Sequence, residues 1–189
     1  SAYDVENASR LIKAEGFTLG HQIMPGLPGD TKEIDLATIK KSIEMKPDIA
    51  RIYPALVIKD TPMETMYNRG EYEPYSLDMA VEVSREMLKL YNAAKVKVIR
   101  IGLQPTDTIA EGKDVVAGPF HPAFRELVEG SLICENIKEK TNESSDIIIE
   151  INSKDISKLY CNKKQYFNEL KKNRHGKVFV KTVDKLKRG

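Results

Sequence analysis

The chain has 189 residues, 41% hydrophobic and 31% charged, enough for one sizeable core with or without a small appendage. No apolar run approaches the roughly 20 residues of a membrane span, so no membrane helix is expected. The opening Ser1-Ala2-Tyr3-Asp4 has neither an initiator Met nor the pattern of a secretory signal, and the chain is read as cytoplasmic and as a piece of a longer protein.

Two cysteines, Cys134 and Cys161, lie far apart, without a nearby Cys or His at metal-ligand spacing. Ordinary thiols in a reducing compartment are expected, with no metal ligands in this chain. The net charge of +2 hides an asymmetry. Residues 152–189 hold twelve Lys or Arg against three Asp or Glu, a balance of +9. Residues 1–151 hold eighteen basic and twenty-five acidic residues, a balance of −7. A boundary is therefore placed in the polar stretch 139–146, dividing a first domain, 1–140, from a basic appendage, 147–189.

In chain order, residues 4–15 read as a helix closed by Gly16. Residues 17–24 read as a strand, ended by the Pro/Gly cluster Pro25-Gly26-Leu27-Pro28-Gly29. A helix then starts at Asp30 or Thr31, with Asp30 and Glu33 in capping-box relation, and ends near Lys46-Pro47. Residues 49–58 form a second strand that Pro54 must end or bulge. A polar loop carrying Tyr67, Tyr72 and Tyr75 comes next, then a long helix capped by Ser76, with Leu77, Ala80, Val81, Ser84, Met87, Leu88 and Tyr91 on one side. Residues 96–103 are a third strand rich in β-branched side chains. Connections of this length join parallel strands by right-handed crossovers. Residues 104–122 show no periodicity, and 122–138 read as a helix. The appendage reads as strand 147–151, helix 162–172 and strand 177–183, a small βαβ-like unit with Phe179 in its core.

Ligands of parallel α/β folds bind at the C-terminal ends of strands. Here those ends are Ile23-Met24-Pro25-Gly26, Arg51-Ile52-Tyr53-Pro54 and Gly102-Leu103-Gln104-Pro105. Each carries a Gly or Pro directly after the strand. The plainer alternative is that these are ordinary turn residues.

The segment Gly20-His21-Gln22-Ile23-Met24-Pro25-Gly26-Leu27-Pro28-Gly29 is more specific. It lacks the Gly-Lys-Ser/Thr ending of a phosphate loop. It resembles the strand and turn of radical S-adenosylmethionine (SAM) enzymes, of the Elongator catalytic-subunit type and its relatives around the oxygen-independent coproporphyrinogen oxidases. Arg51-Ile52-Tyr53-Pro54 with Thr61-Pro62-Met63, Tyr67, Gly70-Glu71-Tyr72 and Pro74 resembles that family's next strand and loop. The third strand end with Thr106-Asp107, and Gly118-Pro119-Phe120-His121-Pro122, are similar to a bacterial branch of the group. The likeness covers about residues 10–130.

The resemblance implies an α/β fold: the C-terminal half of a partial (β/α), TIM-like barrel with parallel strands, here followed by a small α+β appendage. It implies that the full-length protein uses SAM and a [4Fe–4S] cluster to generate a deoxyadenosyl radical, with tRNA or another nucleic acid as the substrate. The three-cysteine loop that would hold the cluster is not encoded in these residues. The chain by itself is therefore expected to be inactive and to bind neither cofactor tightly. By position, Gln22, Met24, Arg51, Tyr53 and Pro54 match the cofactor side. Gln22 would bond the ribose or methionyl group, and Arg51 would pair with a carboxylate. Gln104 and His121 are substrate-side candidates. The plainer alternatives are a satisfied polar pair for Gln22 and Arg51, a core position for Met24 and an ordinary loop histidine for His121. His21, alternating away from Gln22, reads as helix-facing or surface, and His175 as a solvated turn residue. The Elongator type carries an acetyltransferase domain after its barrel; fewer than fifty residues lie beyond the boundary here, so acetyl transfer is not implied.

The basic segment 152–189 suits phosphate contacts with tRNA or another nucleic acid. This allows a second reading, in which the chain is a non-catalytic RNA-binding module with the barrel piece as scaffold. A third is an unrelated α/β barrel. The strand 17–24 is expected to leave an open sheet edge through which the chain self-associates.

Overall fold

Ser1 caps the first helix, α1 (Ala2–Ala14), with a reciprocal capping box to Asp4. The computed structural model describes residues 1–107, 109–110 and 112–187, and the chain divides into two units, Ser1–Phe124 and Arg125–Gly189. Thr108 and Glu111 of the aperiodic stretch, and Arg188 and Gly189 of the basic segment, lie outside the described residues.

In the first unit, β1 (Gly20–Ile23) is shorter than the expected strand 17–24. Leu19 is buried, but its carbonyl receives the amides of Asp48 and Ile49 instead of extending the ladder. Helix α2 (Lys32–Glu44) is capped by Thr31, whose hydroxyl accepts from the Ile34 amide. Asp30 instead accepts from the Leu27 amide and closes the preceding turn, so no capping box forms.

The expected strand 49–58 is two strands. β2 (Ile49–Ile52) stops before Tyr53-Pro54, and β3 (Val57–Ile58) belongs to another sheet. Its antiparallel partner is β5 (Val115–Ala117), inside the stretch that shows no periodicity in the sequence. The loop between β3 and the Ser76 cap contains a short helix, α3 (Pro62–Asn68), started by Thr61 with proline in the first turn, where no donor is lost. Helix α4 (Leu77–Ala93) buries the apolar side expected of it except Leu77, which is half-buried in the first turn, and it also buries Val83.

The main sheet has the order β1-β2-β4, all parallel, with β4 at Lys97–Ile101. Three adjacent parallel strands in chain order, joined through α2 and α4, bear out the α/β class. One face is the core. Ala50 and Ile52 are fully buried, Val98 and Ile101 nearly so, and α4 packs on both α2 and β4.

The second unit begins within α5 (Phe124–Lys140). By contacts this helix goes with the C-terminal segment, whereas the charge shift falls later, at 139–146. The unit continues through β6 (Ile147–Ile151), a short helix α6 (Ile156–Leu159), α7 (Gln165–Lys172) and β7 (Val178–Thr182), and β6 and β7 are parallel. Cys134, Ile149, Leu159, Phe167 and Leu170 form its core. Gly130 sits where α5 meets the end of α6: a Cβ there would stand 2.3 Å from the Lys158 carbonyl oxygen and 2.4 Å from Cys161 Sγ. Phe179, expected in the core, is exposed. It stands opposite Ile148 on the outer side of the two-stranded sheet, because its neighbours Val178 and Val180 take the inward positions.

Candidate functional site

The turn after β1 is braced from three directions. Asp35, buried on α2, accepts the Gly26 amide at 3.2 Å and the Tyr75 hydroxyl at 2.8 Å. The Tyr72 hydroxyl donates to the Gly26 carbonyl at 2.5 Å. Gly26 has φ +82°, and a Cβ there would lie 2.8 Å from the Tyr75 ring, so the turn admits only glycine without displacement. Burial, helped by the nearby Asp30 charge, pushes the Asp35 carboxyl up to about 6, although the bonds from Tyr75 and Gly26 work against this. Burial likewise raises the phenols of Tyr72 and Tyr75. Sequence reading singled out both tyrosines but missed Asp35. The available signal was a carboxylate beside Leu36 on the buried side of α2.

Behind the sheet, His21 faces the helices. Its Nε2 is 3.0 Å from Ser9 Oγ and its Nδ1 is 2.8 Å from Ser42 Oγ, which in turn meets the Tyr91 hydroxyl at 2.8 Å. This chain of hydroxyls ties α1, β1, α2 and α4 together. Burial lowers the His21 ring below the ordinary histidine value. The residue is structural and points away from the opposite face.

That opposite face is open. Strand register sets Gln22 beside Arg51 and Arg51 beside Arg100, and all three are exposed. Adjacent strands are about 4.8 Å apart, so these side chains form one row across the sheet. Arg100 joins the row through an irregularity. Ala50 pairs with Val98 but Arg51 pairs with Arg100, leaving Ile99 as the extra residue of a bulge in β4. Burial along β4 agrees, with Val98 and Ile101 inward and Ile99 and Arg100 outward. Met24 and Ile99 flank the row as exposed apolar side chains, and Lys97 is exposed on the same strand. Gln22, Arg51 and Arg100 make no side-chain hydrogen bond or ion pair with another of the described residues.

Gln22, Met24 and Arg51 thus come together on one accessible face. Tyr53 and Pro54 are buried. The Tyr53 amide donates to the Ile23 carbonyl and the Ala55 amide to the Pro25 carbonyl, so these residues fix the strand ends relative to each other. His121 is half-buried, its Nδ1 accepting from the Ala123 amide at 3.1 Å. With Pro54, Leu56, Gly102, Phe120 and Phe124 it lines a pocket of about 10 Å³, room for roughly one water. Gln104 is exposed in the turn after β4 and does not line that pocket.

A [4Fe–4S] cluster does not fit the thiols present. Cys134 and Cys161 both lie in the second unit, and burial pushes each up to about 11, which keeps them protonated. Among the described residues no group of three or more His, Cys, Asp or Glu is arranged as a metal site. No described helix is long and apolar enough to cross a membrane.

The basic unit uses some of its charge internally. Arg174 donates to Thr141 Oγ1 and to the carbonyls of Asn142 and Ser145, holding the loop after α5. Burial alone would lower Lys158, but Glu129 and Asp155, at 2.9 and 3.1 Å, outweigh it and raise the ammonium. Lys181 pairs with Glu150. Lys163, Lys164, Lys171 and Lys172 are exposed, with Lys164 over the Tyr160 ring and Lys171 over the Phe167 ring. The turn leading into α7 holds Asn162, Lys163 and Lys164 in the left-handed region, at φ 49°, 53° and 66°.

Residues 47–133 match the Radical_SAM C-terminal domain. Over 83 residues the sequence is 40% identical to a "tRNA uridine(34) acetyltransferase" of Methanocaldococcus jannaschii, covering 42% of this chain and 15% of the relative. It is 32% identical over 83 residues to "Elongator complex protein 3" of Homo sapiens, again 42% of this chain and 15% of the relative. Among solved structures it is similar to the archaeal Methanocaldococcus infernus Elp3 with an N-terminal deletion, at TM-score 0.57 and 27% identity, over 74% of this chain and 31% of that one. The match thus spans under a sixth of these curated relatives and under a third of the solved chain. The resemblance to the Elongator-like branch of the radical SAM family is borne out, and residues 47–133 are where the Radical_SAM C-terminal domain matches.

Proposed function

We propose that this chain is the later part of a radical SAM-type barrel of a cytoplasmic RNA-modifying enzyme, and that the open face of β1-β2-β4 is the wall its ligands meet. The observation that carries this reading is the one-sided sheet. Helices bury one face, while the other presents Gln22, Met24 and Arg51 without protein partners, next to strand ends braced by Asp35, Tyr72 and Tyr75. Parallel sheets place ligands at such strand ends.

On this reading Gln22 offers an amide donor and acceptor to a ribose diol, and Met24 lays its thioether along an apolar ring. Arg51 supplies a cation beside them. Tyr53 and Pro54 hold the strand end from below, and Gln104 and His121 belong to the substrate side. SAM, when bound beside a reduced cluster, supplies one-electron radical chemistry. The chain's residues contribute binding and orientation to that chemistry. Without the three-thiolate loop the chain alone does not perform it and holds the cofactor weakly.

The name of the Methanocaldococcus jannaschii relative directs the substrate reading to tRNA. The exposed lysines of residues 152–189 suit contacts to its phosphates, with Tyr160 and Tyr166 at their side. The choice of an enzyme part over a binding module is supported by the domain match and by the names of these relatives.

Equilibrium titration of the chain with S-adenosylhomocysteine, a redox-inert analogue of the cofactor, tests the cofactor side. Weak, saturable binding is expected, and Gln22→Ala should weaken it about tenfold, the loss of roughly one good hydrogen bond to a ribose. Equal binding by the variant would contradict the assignment of Gln22.

A further inference from the structure

We propose that Arg51 and Arg100 together form a phosphate subsite on the open face of β1-β2-β4, occupied by a phosphodiester group of the RNA substrate. This rests on the reading above that the protein acts on RNA. It adds Arg100 and gives Arg51 a different partner from a carboxylate.

The placement of the two guanidinium groups is the first ground. They lie on neighbouring strands at paired positions, an arrangement in which like charges repel. Neither has an ion-pair or hydrogen-bond partner among the described residues. The second ground is that the pairing is built. With regular alternation from Val98, Arg100 would point at the helices. The bulge at Ile99 turns it to the open side, opposite Arg51. Bulges that re-aim a side chain are characteristic of sheet edges and sites.

The third ground is composition. β1, β2 and β4 contain no Asp or Glu, and the open side carries Arg51, Arg100 and Lys97. Yet residues 1–151 as a whole are net acidic. The positive face therefore does not arise from bulk charge.

A phosphodiester group suits this pair. Its two non-bridging oxygens sit on a tetrahedral centre, so each arginine can donate to a different oxygen while both cations face the same negative charge. Gln22, one strand further along the row, lies within one nucleotide's reach of a phosphate held there, and exposed Met24 and Ile99 offer apolar surface to an attached base.

The experiment is fluorescence anisotropy of the 189-residue chain with a labelled single-stranded oligoribonucleotide across a salt series. Arg51→Gln and Arg100→Gln should each weaken binding about tenfold and lower the slope of log K against log salt by about 0.7. Arg100→Lys should keep the slope but not the full affinity, because it keeps the charge and loses the planar fork. Thermal melts should show both Gln variants as stable as the parent or more so, since each removes a repulsion; a large loss of stability would assign the arginines a structural role and overturn the proposal. Unchanged RNA affinity in both variants, with Lys163→Gln/Lys164→Gln weakened, would overturn the subsite while leaving the RNA reading intact. No RNA binding by the parent chain at low salt would overturn both. If the Gln variants lose inorganic pyrophosphate or S-adenosylhomocysteine but keep RNA, the occupant is a small ligand and the RNA assignment fails.

Discussion

Asp35 is the residue on which the geometry of the β1 turn depends, and its proton affinity makes that dependence measurable. Its carboxyl lies at about 6 in the folded chain, above the ordinary aspartate value of 3.8, because burial disfavours the charge. The folded state therefore holds the proton more tightly than the unfolded one. The associated stability is complete below the unfolded value and is lost as pH rises through about 6. His21 works in the other direction. Its lowered ring favours the neutral form on folding, so its contribution is present above the unfolded value and falls away in acid. The parent and Asp35→Asn should separate the two effects. The melting temperature of the parent relative to the variant should fall between about pH 4 and pH 7. A difference that stays flat or rises across that window would contradict the account of Asp35.

At this scale the site was partly legible. Alternation along β1 correctly separates Gln22 from His21, and pairing Gln22 with Arg51 needs only two parallel strands in register. Arg100 was not legible, because the same alternation sends it to the buried side. A single inserted residue inverts the facing of every later position in its strand, and nothing in Lys97-Val98-Ile99-Arg100-Ile101 announces the bulge.

Elements long enough to show a period were legible in the sequence. Helix α2 follows from its start at Thr31 and its stop near Lys46-Pro47, helix α4 from its Ser76 cap and apolar spacing, and strand β4 from its β-branched run. The failures are short. β3 has two residues and β5 three, too few for any alternation, and each is stabilised by the other from far along the chain. Helix α3 reads as loop because none of its residues is buried. The left-handed turn before α7 has no glycine to mark it, although each such residue costs about 1–2 kcal/mol.

Strand β1 has a further consequence. It pairs with β2 on one side and with no other strand among the described residues. Nearby in sequence, Tyr3, Val5, Leu11 and Phe17 are exposed at 70, 50, 54 and 70%. We propose that the chain self-associates through this edge and its apolar surroundings. Sedimentation velocity over a concentration series should show mass rising with concentration. A monomer throughout would contradict it.

The whole chain joins two units of opposite charge. An acidic α/β unit carries a basic open sheet face, and a basic unit spends Arg174, Lys158 and Lys181 on its own structure and leaves other lysines exposed. The charge shift was visible in the sequence, and so was the family resemblance, because Pro25-Gly26 and Tyr53-Pro54 are constrained by backbone geometry at the strand ends. The helix content of the α5 region was visible too, but its membership of the second unit depends on packing that composition does not encode. The central claim is that ligands meet the open side of β1-β2-β4. Heteronuclear NMR of the isotope-labelled chain, titrated with S-adenosylhomocysteine and then with the oligoribonucleotide, tests it most directly. The account predicts shifts concentrated at Gln22, Met24, Arg51 and Arg100, with the His21, Ser42 and Tyr91 signals unmoved. Shifts confined to the helix-covered side, or none at saturating ligand, would contradict it.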